Sequence, residues 1–307
     1  MRVVSGALVH PVDPIVHREG CVSVPLEEGE APRRLSHVTE RGFGVWTLMQ
    51  SVWKKRSLVN ELARREVMDL HASQTGGFLW IVVHPLLLFV VYSFLFTFVL
   101  KVRIGAKGPE DYTVYLFSGL APWLFSQDVL YRAANVMLVN ITIVKKVMFP
   151  MEALVAKAVL ASVFAQAALL LMVLLFTVAI RGVIPPSMLL LIVLVPMHLA
   201  MLWGLSLMLS SFTPYLRDTV EILRIFLTVT VFLIPVMYLP EMVPQGLGIL
   251  VLANPFSHLI WCYQDAIYFG HVAHPGAWIV TAIFSVVCLY AGSYVFLRLR
   301  HHVASVL

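Results

Sequence analysis

Six long apolar segments dominate the chain. They begin near Phe78, Tyr112, Leu154, Met188, Ile225 and Trp278. Each segment is long enough, or nearly so, to cross a hydrocarbon core that requires ~20 helical residues. The pattern predicts an all-α membrane protein whose six transmembrane helices occupy residues 78–300.

The stretch between the fifth and sixth segments follows a different pattern. An apolar run over Ile249–Ala253 stops at Asn254-Pro255, and a second short stretch ends before Gly270. Neither stretch is long enough to span a bilayer. They predict a re-entrant helical hairpin in the outer leaflet, which is tolerated only where it packs in protein or lines a cavity. A hairpin on the membrane surface is the alternative.

Residues 43–77, which precede the first segment, combine apolar and basic positions. Trp46, Met49 and Trp53 fall on one helical stripe, with a basic cluster at residues 54–56 beside it. This pattern is typical of an amphipathic interface helix in the inner headgroup layer. A helix packed on a partner protein is the alternative, and the two do not exclude each other. Residues 1–42 have weak periodicity, and we interpret them as a flexible cytoplasmic leader.

The basic residues predict the orientation. All Lys and Arg fall on the side of the two termini except Lys101, Arg103, Lys107 and Arg181. The positive-inside rule therefore predicts that both termini are cytoplasmic. Because the net charge of +5 follows the membrane topology in this way, it does not indicate nucleic-acid binding.

Composition and motifs argue against an enzyme. Apolar residues make up 60% and charged residues 13% of the 307 positions, which is well outside the range of soluble domains. The sequence contains no G-x-x-x-x-G-K-[ST] phosphate loop and no G-x-S-x-G elbow. The cysteines, Cys21, Cys262 and Cys288, lack metal-ligand spacing, so we expect packing roles and no metal site. Any nucleotide chemistry must come from another polypeptide.

Aromatic residues concentrate in the second segment and in the outer hairpin. Tyr115 and Trp123 lie near one helix face, because eight residues separate them. Ring faces allow sliding contact with sugar rings, so these residues predict a glycan path. The candidates are Tyr115, Trp123, Phe125, Trp261, Tyr263 and Tyr268. An interfacial aromatic belt is the alternative for residues near the helix ends.

Charged residues mark two helix ends. Asp128 and Arg132 are four residues apart, so they are predicted to pair on one helix face. Arg217 and Asp218 precede the fifth segment, where we predict a cytoplasmic hinge. A solvated charged turn is the alternative.

Five further segments carry a family resemblance. They are SQTGGFLWIVVHPLL (residues 73–87), LFSGLAPWLFSQ (116–127), NITIVKKVMFPMEAL (140–154), YLRDTVEILRIFLTVTVFLIPVMY (215–238) and NPFSHLIWCYQDAIYFG (254–270). Their order and register resemble the permeases of polysaccharide-exporting ABC transporters of type 2, which serve O-antigen, capsule and teichoic-acid chains. The resemblance covers residues 43–300.

The resemblance implies the partners and the place of action. It implies a homodimer in a bacterial inner membrane, bound to two copies of a separate ABC ATPase. That ATPase holds ATP and Mg, and this chain itself needs no cofactor. The substrate is then a lipid-linked glycan that is loaded from the cytoplasm among the membrane lipids.

The resemblance also implies roles for individual residues. The cytoplasmic loop that contacts the ATPase corresponds to Asn140, Lys145, Lys146, Phe149, Pro150 and Glu152, and the outer gate to Asn254, Pro255 and Asp265. Met68 to His71 stand where many members have an Arg-Tyr pair, and Gln264 stands where many have arginine. Arg64 and Arg65 remain the candidates for the carrier phosphate, because guanidinium groups suit bidentate phosphate contact.

Three other functions compete with this interpretation. An ABC exporter of a drug or lipid differs only in its cargo, and the aromatic hairpin argues weakly against it. A membrane-embedded glycan polymerase or ligase would carry a sizeable outer loop with catalytic Arg, His or carboxylate residues. A structural scaffold would not depend on an ATPase.

Overall fold

The computed structural model describes residues 44–72, 77–99, 109–146, 149–238, 246 and 248–306, and every regular element in these ranges is helical. The α-helices are α1 (Gly44–Lys54), α2 (Arg56–Ala72), α3 (Trp80–Phe94), α4 (Pro109–Val139), α5 (Ile141–Lys146), α6 (Met151–Arg181), α7 (Leu191–Phe212), α8 (Thr219–Leu233), α9 (Gly248–Ala253), α10 (Pro255–Gln264) and α11 (Pro275–Val306). The all-α prediction is confirmed for this part of the chain. The predicted leader over residues 1–42 lies outside it.

Within the ranges given above, four short helical turns extend these elements. Gly77–Leu79 and Pro186–Leu190 form 3₁₀ turns before α3 and α7. Leu95–Val99 and Asp265–Phe269 form π-helical turns after α3 and α10. The π turn after α10 matters most for the site, because it carries Asp265 and Tyr268.

Three helices in the described ranges are long and apolar enough to cross a membrane. They are Met151–Arg181, Pro186–Phe212 and Pro275–Arg300, with 31, 27 and 26 residues. Each exceeds the ~20 residues that a bilayer core requires. The prediction of a multi-pass membrane protein therefore stands. The other three predicted spans correspond to α3, α4 and α8, which are shorter or more polar.

Helix α4 is more polar than the long helices α6, α7 and α11, and protein covers much of it. Every side chain from Asp111 to Trp123 is buried. The helix packs against α6, α7, α8 and α10. A helix enclosed by protein can carry serine, threonine and tyrosine that would be costly against lipid, provided that their polar groups find partners.

Helices α7 and α11 cross in close contact through two glycines. A Cβ on Gly204 would collide with the backbone carbonyl of Cys288, and a Cβ on Gly292 would collide with the carbonyl of Gly204. Small residues allow such an approach, and in lipid close packing replaces the hydrophobic force between helices. Cys288 and Cys262 are buried free thiols, as the packing interpretation predicted.

The contacts between helix termini define two ends of the bundle. At one end, which we call the Met151 end, Lys157 lies 3.1 Å from Glu66 of α2. At the opposite end, which we call the Arg181 end, Ser187 donates a hydrogen bond of 2.8 Å to the carbonyl of Ala266. Helix α6 therefore begins at the Met151 end and α7 begins at the Arg181 end, so these two helices run in opposite directions.

Helices α1 and α2 lie against the Met151 end. Leu48 of α1 packs beside Leu154 of α6, and Val59 of α2 beside Ala153. The predicted stripe residues Trp46, Met49 and Trp53 are more than half exposed on α1. An exposed apolar stripe next to spanning helices is typical of an interface helix.

Candidate functional site

The six predicted path residues all lie in the interior of the described chain. Tyr115, Trp123, Phe125, Trp261, Tyr263 and Tyr268 are each less than one tenth exposed. Tyr115 meets Tyr268 edge to face at 5.3 Å, and Trp123 meets Phe256 in the same way. Their rings therefore join α4 to α10 and its π turn. The role in a glycan path stays a prediction.

The tyrosines of α4 support the end of α8. The Tyr115 hydroxyl donates to the carbonyls of Pro235 at 3.2 Å and Tyr238 at 3.0 Å. The Tyr112 hydroxyl donates to the carbonyl of Met237 at 2.8 Å. Carbonyls beyond a helix end need partners where water is scarce. These hydroxyls therefore hold α4 to the segment that leaves α8.

An ion pair joins three elements at the Arg181 end. Arg181 Nη2, from the end of α6, lies 3.5 Å from Asp111 Oδ1 at the start of α4. The Tyr268 hydroxyl donates to the other oxygen of Asp111 at 3.0 Å, and the Arg181 guanidinium lies 5.2 Å from the Tyr268 ring centroid. The pair therefore fixes the π turn after α10 against α4 and α6.

Asp265 is fully buried and organises the turn that leads into α11. It accepts hydrogen bonds from the backbone N–H of His274 at 3.0 Å and from Trp278 Nε1 at 3.0 Å. The His274 Nδ1 atom lies 2.8 Å from its second oxygen. The predicted gate carboxylate is thus engaged on both oxygens. Its role in gating stays a prediction.

Asn254 and Pro255 begin α10. The Asn254 side chain accepts a hydrogen bond of 3.0 Å from the Phe256 N–H, and Pro255 occupies the first helical turn. Asparagine is a preferred N-cap, and proline at the first helical position sacrifices no intrahelical bond. The predicted break between two short helices is therefore found at this residue.

A buried hydrogen-bonded chain connects α4, α7 and α10. The His198 Nε2 atom lies 2.9 Å from Ser126 Oγ, and its Nδ1 atom lies 3.1 Å from the Tyr263 hydroxyl. All three side chains are inaccessible or nearly so. A polar group at this depth needs a partner, and this chain supplies one on each side of the imidazole.

Some of the predicted ATPase-contact residues have exposed side chains, and others contact residues of this chain. Lys145 is exposed on α5, and Asn140 accepts a hydrogen bond of 3.4 Å from Lys157. Pro150 is the extended residue that precedes α6. Phe149 is half-buried beside α1 and α2 residues, and the side chain of Lys146 lies outside the described atoms.

Glu152 faces α1 rather than the exterior. Its carboxylate is 7% exposed and accepts a hydrogen bond of 2.6 Å from Ser51 Oγ. Lys55 Nζ lies 3.3 Å from the same oxygen. Glu152 therefore holds α1 to the start of α6, a contact that the sequence spacing did not reveal.

Glu66 and Arg132 join α2, α4 and α6. Arg132 lies 2.9 Å from Asp128 on its own helix, as predicted, and 3.4 Å from Glu66. The other oxygen of Glu66 lies 3.1 Å from Lys157.

Arg65 is exposed and pairs with Glu61 at 2.8 Å, and Arg64 is exposed as well. The carrier-phosphate role of these two arginines stays a prediction.

The predicted hinge lies in the exposed turn between α7 and α8. Arg217 and Asp218 are both exposed there, and Asp218 makes no side-chain cap. Further along α8, Arg224 contacts both the hydroxyl and the ring face of Tyr131 on α4. This contact connects α8 to the second half of α4. The hinge role stays a prediction.

Sequence reasoning missed the residues that work as long-range partners. His198, Glu66 and Asp111 received no role, since their partners lie 65 or more residues away in the chain. Their one available signal was their type, because ionisable residues near apolar spans are rare and need partners. Such a signal shows that a partner exists but does not say which residue it is.

Comparison of the sequence with known proteins relates this chain to transporters. Residues 57–268 match the model of the ABC-2 type transporter family. The chain is 27% identical over 259 residues to the O-antigen export system permease protein RfbA of Myxococcus xanthus, covering 84% of this chain and 98% of that protein. It is 22% identical over 249 residues to an RfbA of Klebsiella pneumoniae, covering 80% and 93% respectively.

Proposed function

Because the chain belongs to the ABC-2 type transporter family, we propose that it is the membrane subunit of an ATP-driven exporter that moves a lipid-linked polysaccharide across the bacterial inner membrane. The observation that carries the proposal is the alignment with two O-antigen export permeases along nearly their whole length. The chain has no phosphate loop of its own, so a separate ATPase binds ATP and Mg. The chain therefore acts as a permease and not as an enzyme.

The proposed membrane arrangement has six spans. They are α3 with its π turn, α4, α6, α7, α8 and α11, with α1 and α2 as the interface helices and α9–α10 as a re-entrant hairpin. The apolar exposed faces of α3 and α8 support this placement, since Val90, Val91, Ile225 and Phe232 are all more than half exposed. Both termini are then cytoplasmic, at the Met151 end.

The proposed complex contains two copies of this chain and two copies of the ATPase. The ATPases bind at the Met151 end, where Lys145 is exposed and α1 is fixed through Glu152. Closure of the ATPases pushes on α5 and the start of α6. The rigid link between α1, α2 and α6 carries this movement into the membrane.

The glycan path requires α10 to move away from α4. In the described arrangement the six aromatic rings are buried within one subunit, where Tyr115 packs edge to face with Tyr268 and Trp123 packs edge to face with Phe256. Separation of α10 from α4 would expose them to the sugar chain, and the gate residues Asn254, Pro255 and Asp265 lie on the element that moves. Arg64 and Arg65 on α2 would receive the carrier phosphate at the cytoplasmic side.

The proposal is tested by deleting the gene for this chain and measuring glycan export. We expect lipid-linked glycan to accumulate on the cytoplasmic side, and the full chain to restore export only with a partner ATPase that can hydrolyse ATP. Restoration with an ATPase that cannot hydrolyse ATP would contradict the proposal and favour a polymerase, a ligase or a scaffold. Hydrolysis stimulated by a drug or phospholipid, and not by the glycan, would identify the alternative exporter.

A further inference from the structure

An apolar groove opens between α1, α2 and the three long spans α6, α7 and α11. It encloses about 540 Å³ and is lined on the inside by aliphatic and small residues such as Val159, Leu160 and Ala200. On α7 it reaches from Trp203 to Pro196, which is ~10 Å along the helix axis. That depth falls within one leaflet of a hydrocarbon core ~30 Å thick.

The mouth of the groove has a different character. Arg56 and Asn60 of α2 lie there beside Trp53 of α1. The Arg56 guanidinium lies 5.2 Å from the centroid of the Trp53 ring, and both side chains are exposed. Among the described residues, no carboxylate lies within ion-pair distance of Arg56. The cation is therefore fixed in direction by the indole and available to an anion.

We propose that this groove binds one anionic glycerophospholipid of the inner leaflet, with an acyl chain between α6, α7 and α11 and its phosphate at Arg56. An apolar groove at this depth excludes water, so a hydrocarbon chain is the occupant that fills it. A basic residue beside such a groove on the cytoplasmic side is an arrangement that recognises lipid headgroups. The assignment of the leaflet rests on the proposed cytoplasmic position of the termini.

The groove is separate from the cavity at Asp128 and Arg132. That second cavity of about 410 Å³ lies between α3, α4 and α6, and it uses a different face of α6, around Ser162 and Gln166. The two share no lining residue. The bound phospholipid would therefore fill the space between the interface helices α1 and α2 and the long spans. It would lie on a face of the bundle away from α4 and its aromatic residues.

Lipid binding to the purified full chain tests the proposal without ATPase or glycan, so its failure is distinct from failure of the export proposal. The chain is reconstituted in nanodiscs of phosphatidylcholine with a small fraction of phosphatidylglycerol, released, and analysed by native mass spectrometry. We expect one retained phosphatidylglycerol per chain. Arg56→Gln should weaken its retention about five-fold, equivalent to ~1 kcal/mol for one basic residue.

Arg298→Gln is the matched control. Arg298 also stacks on an aromatic ring, with its guanidinium 5.1 Å from the Tyr294 centroid, but it does not line the groove. This variant should retain phosphatidylglycerol as the original chain does. Equal retention of phosphatidylcholine and phosphatidylglycerol, or equal losses in both variants, would overturn the proposal.

Substitutions that fill the groove with a larger side chain test separately whether an acyl chain occupies it. Ala200→Phe should remove the retained lipid, whereas Ala167→Phe on the exposed face of α6 should not. If Ala200→Phe fails to fold, Leu160→Phe provides a second filling variant. Retention unchanged by a filling variant that folds would overturn the proposal, as would displacement of phosphatidylglycerol by a polyprenyl phosphate, which would assign the groove to the carrier.

Discussion

Asp111 and Arg181 show how single residues hold the Arg181 end together. Their side chains are 10% and 18% exposed, so each charge has lost most of its water and depends on the other. Removing one partner leaves the second charge uncompensated, whereas removing both leaves no charge to satisfy. Each charge is therefore expected to be stable in this position only while the other is present.

We predict that Asp111→Asn or Arg181→Gln alone lowers the free energy of unfolding by about 3 kcal/mol, the lower end of the range for a buried pair, because both side chains keep some contact with solvent. The double variant should lose less than the sum of the two, because the orphan charge is gone. Denaturant titration in mixed micelles, followed by circular dichroism, measures this. Glu221→Gln, which removes an exposed ion pair but keeps the contact of Arg224 with Tyr131, is the control and should show almost no effect. Additive losses in the double variant would contradict the prediction.

The chain Ser126–His198–Tyr263 gives a second prediction at this scale. His198→Leu leaves the buried Tyr263 hydroxyl without its partner, whereas Ser126 keeps its hydrogen bond to the carbonyl of Pro122, so the free energy of unfolding should fall by about 1–2 kcal/mol. Tyr263→Phe added to His198→Leu should then cost little more, since its hydrogen bond is already lost. The same titration measures both, and Tyr290→Phe on the exposed face of α11 is the control. If the losses in free energy of unfolding from His198→Leu and Tyr263→Phe were additive, the two side chains would not be coupled through a hydrogen bond.

Helix boundaries were predictable where the chemistry is local. Asn254-Pro255 combines an N-cap with a proline at the first helical position, and the structure begins α10 there. The burial of α4 was not predictable in the same way. An aromatic side chain such as Trp123 suits both a core and a glycan path, and only the approach of α10 shows that it packs against Phe256. The same limit applies to Glu152, whose partner Ser51 lies 101 residues away.

The crossing of α7 and α11 depends on two glycines. Gly204→Ala or Gly292→Ala places a methyl group inside a backbone carbonyl of the facing helix, so the helices must separate. We predict that either variant yields little monodisperse protein after extraction, measured by size-exclusion chromatography. Gly276→Ala, also on α11, has open space around its Cβ and should behave as the original chain does. Normal yield from Gly204→Ala would exclude this contact.

The attachment of α1 to α6 depends on Glu152. Glu152→Ala removes the acceptor of two hydrogen bonds, one of them from a charged lysine, and such bonds are worth about 1.5–3 kcal/mol. The open population of α1 should therefore rise about ten-fold or more, which limited trypsin digestion detects as faster cleavage at residues 54–56. Glu61→Ala, which removes an exposed pair on α2, is the control. Equal cleavage rates for both variants would show that Glu152 does not hold α1.

At the scale of the whole molecule, charge and contacts give the same polarity. The contacts among Glu66, Arg132 and Lys157 gather basic residues at the Met151 end, while Arg181 marks the opposite end. The two observations are independent. The charge distribution is counted along the sequence, whereas the two ends of the bundle are defined by the contacts between helix termini. A bundle with one basic end inserts with that end toward the cytoplasm.

Cysteine labelling tests this orientation directly. In a chain with Cys21→Ser, the remaining Cys262 and Cys288 are buried, so an added surface cysteine is the reactive thiol. Ile184→Cys, at an exposed position in the turn between α6 and α7 at the Arg181 end, should react with a membrane-impermeant maleimide in cells whose outer membrane alone is permeable. Lys145→Cys, exposed at the Met151 end, should react only after the inner membrane is opened. The reverse pattern would place the basic end outside, where a cytoplasmic ATPase could not reach α5, and the proposed mechanism of export would fail with it.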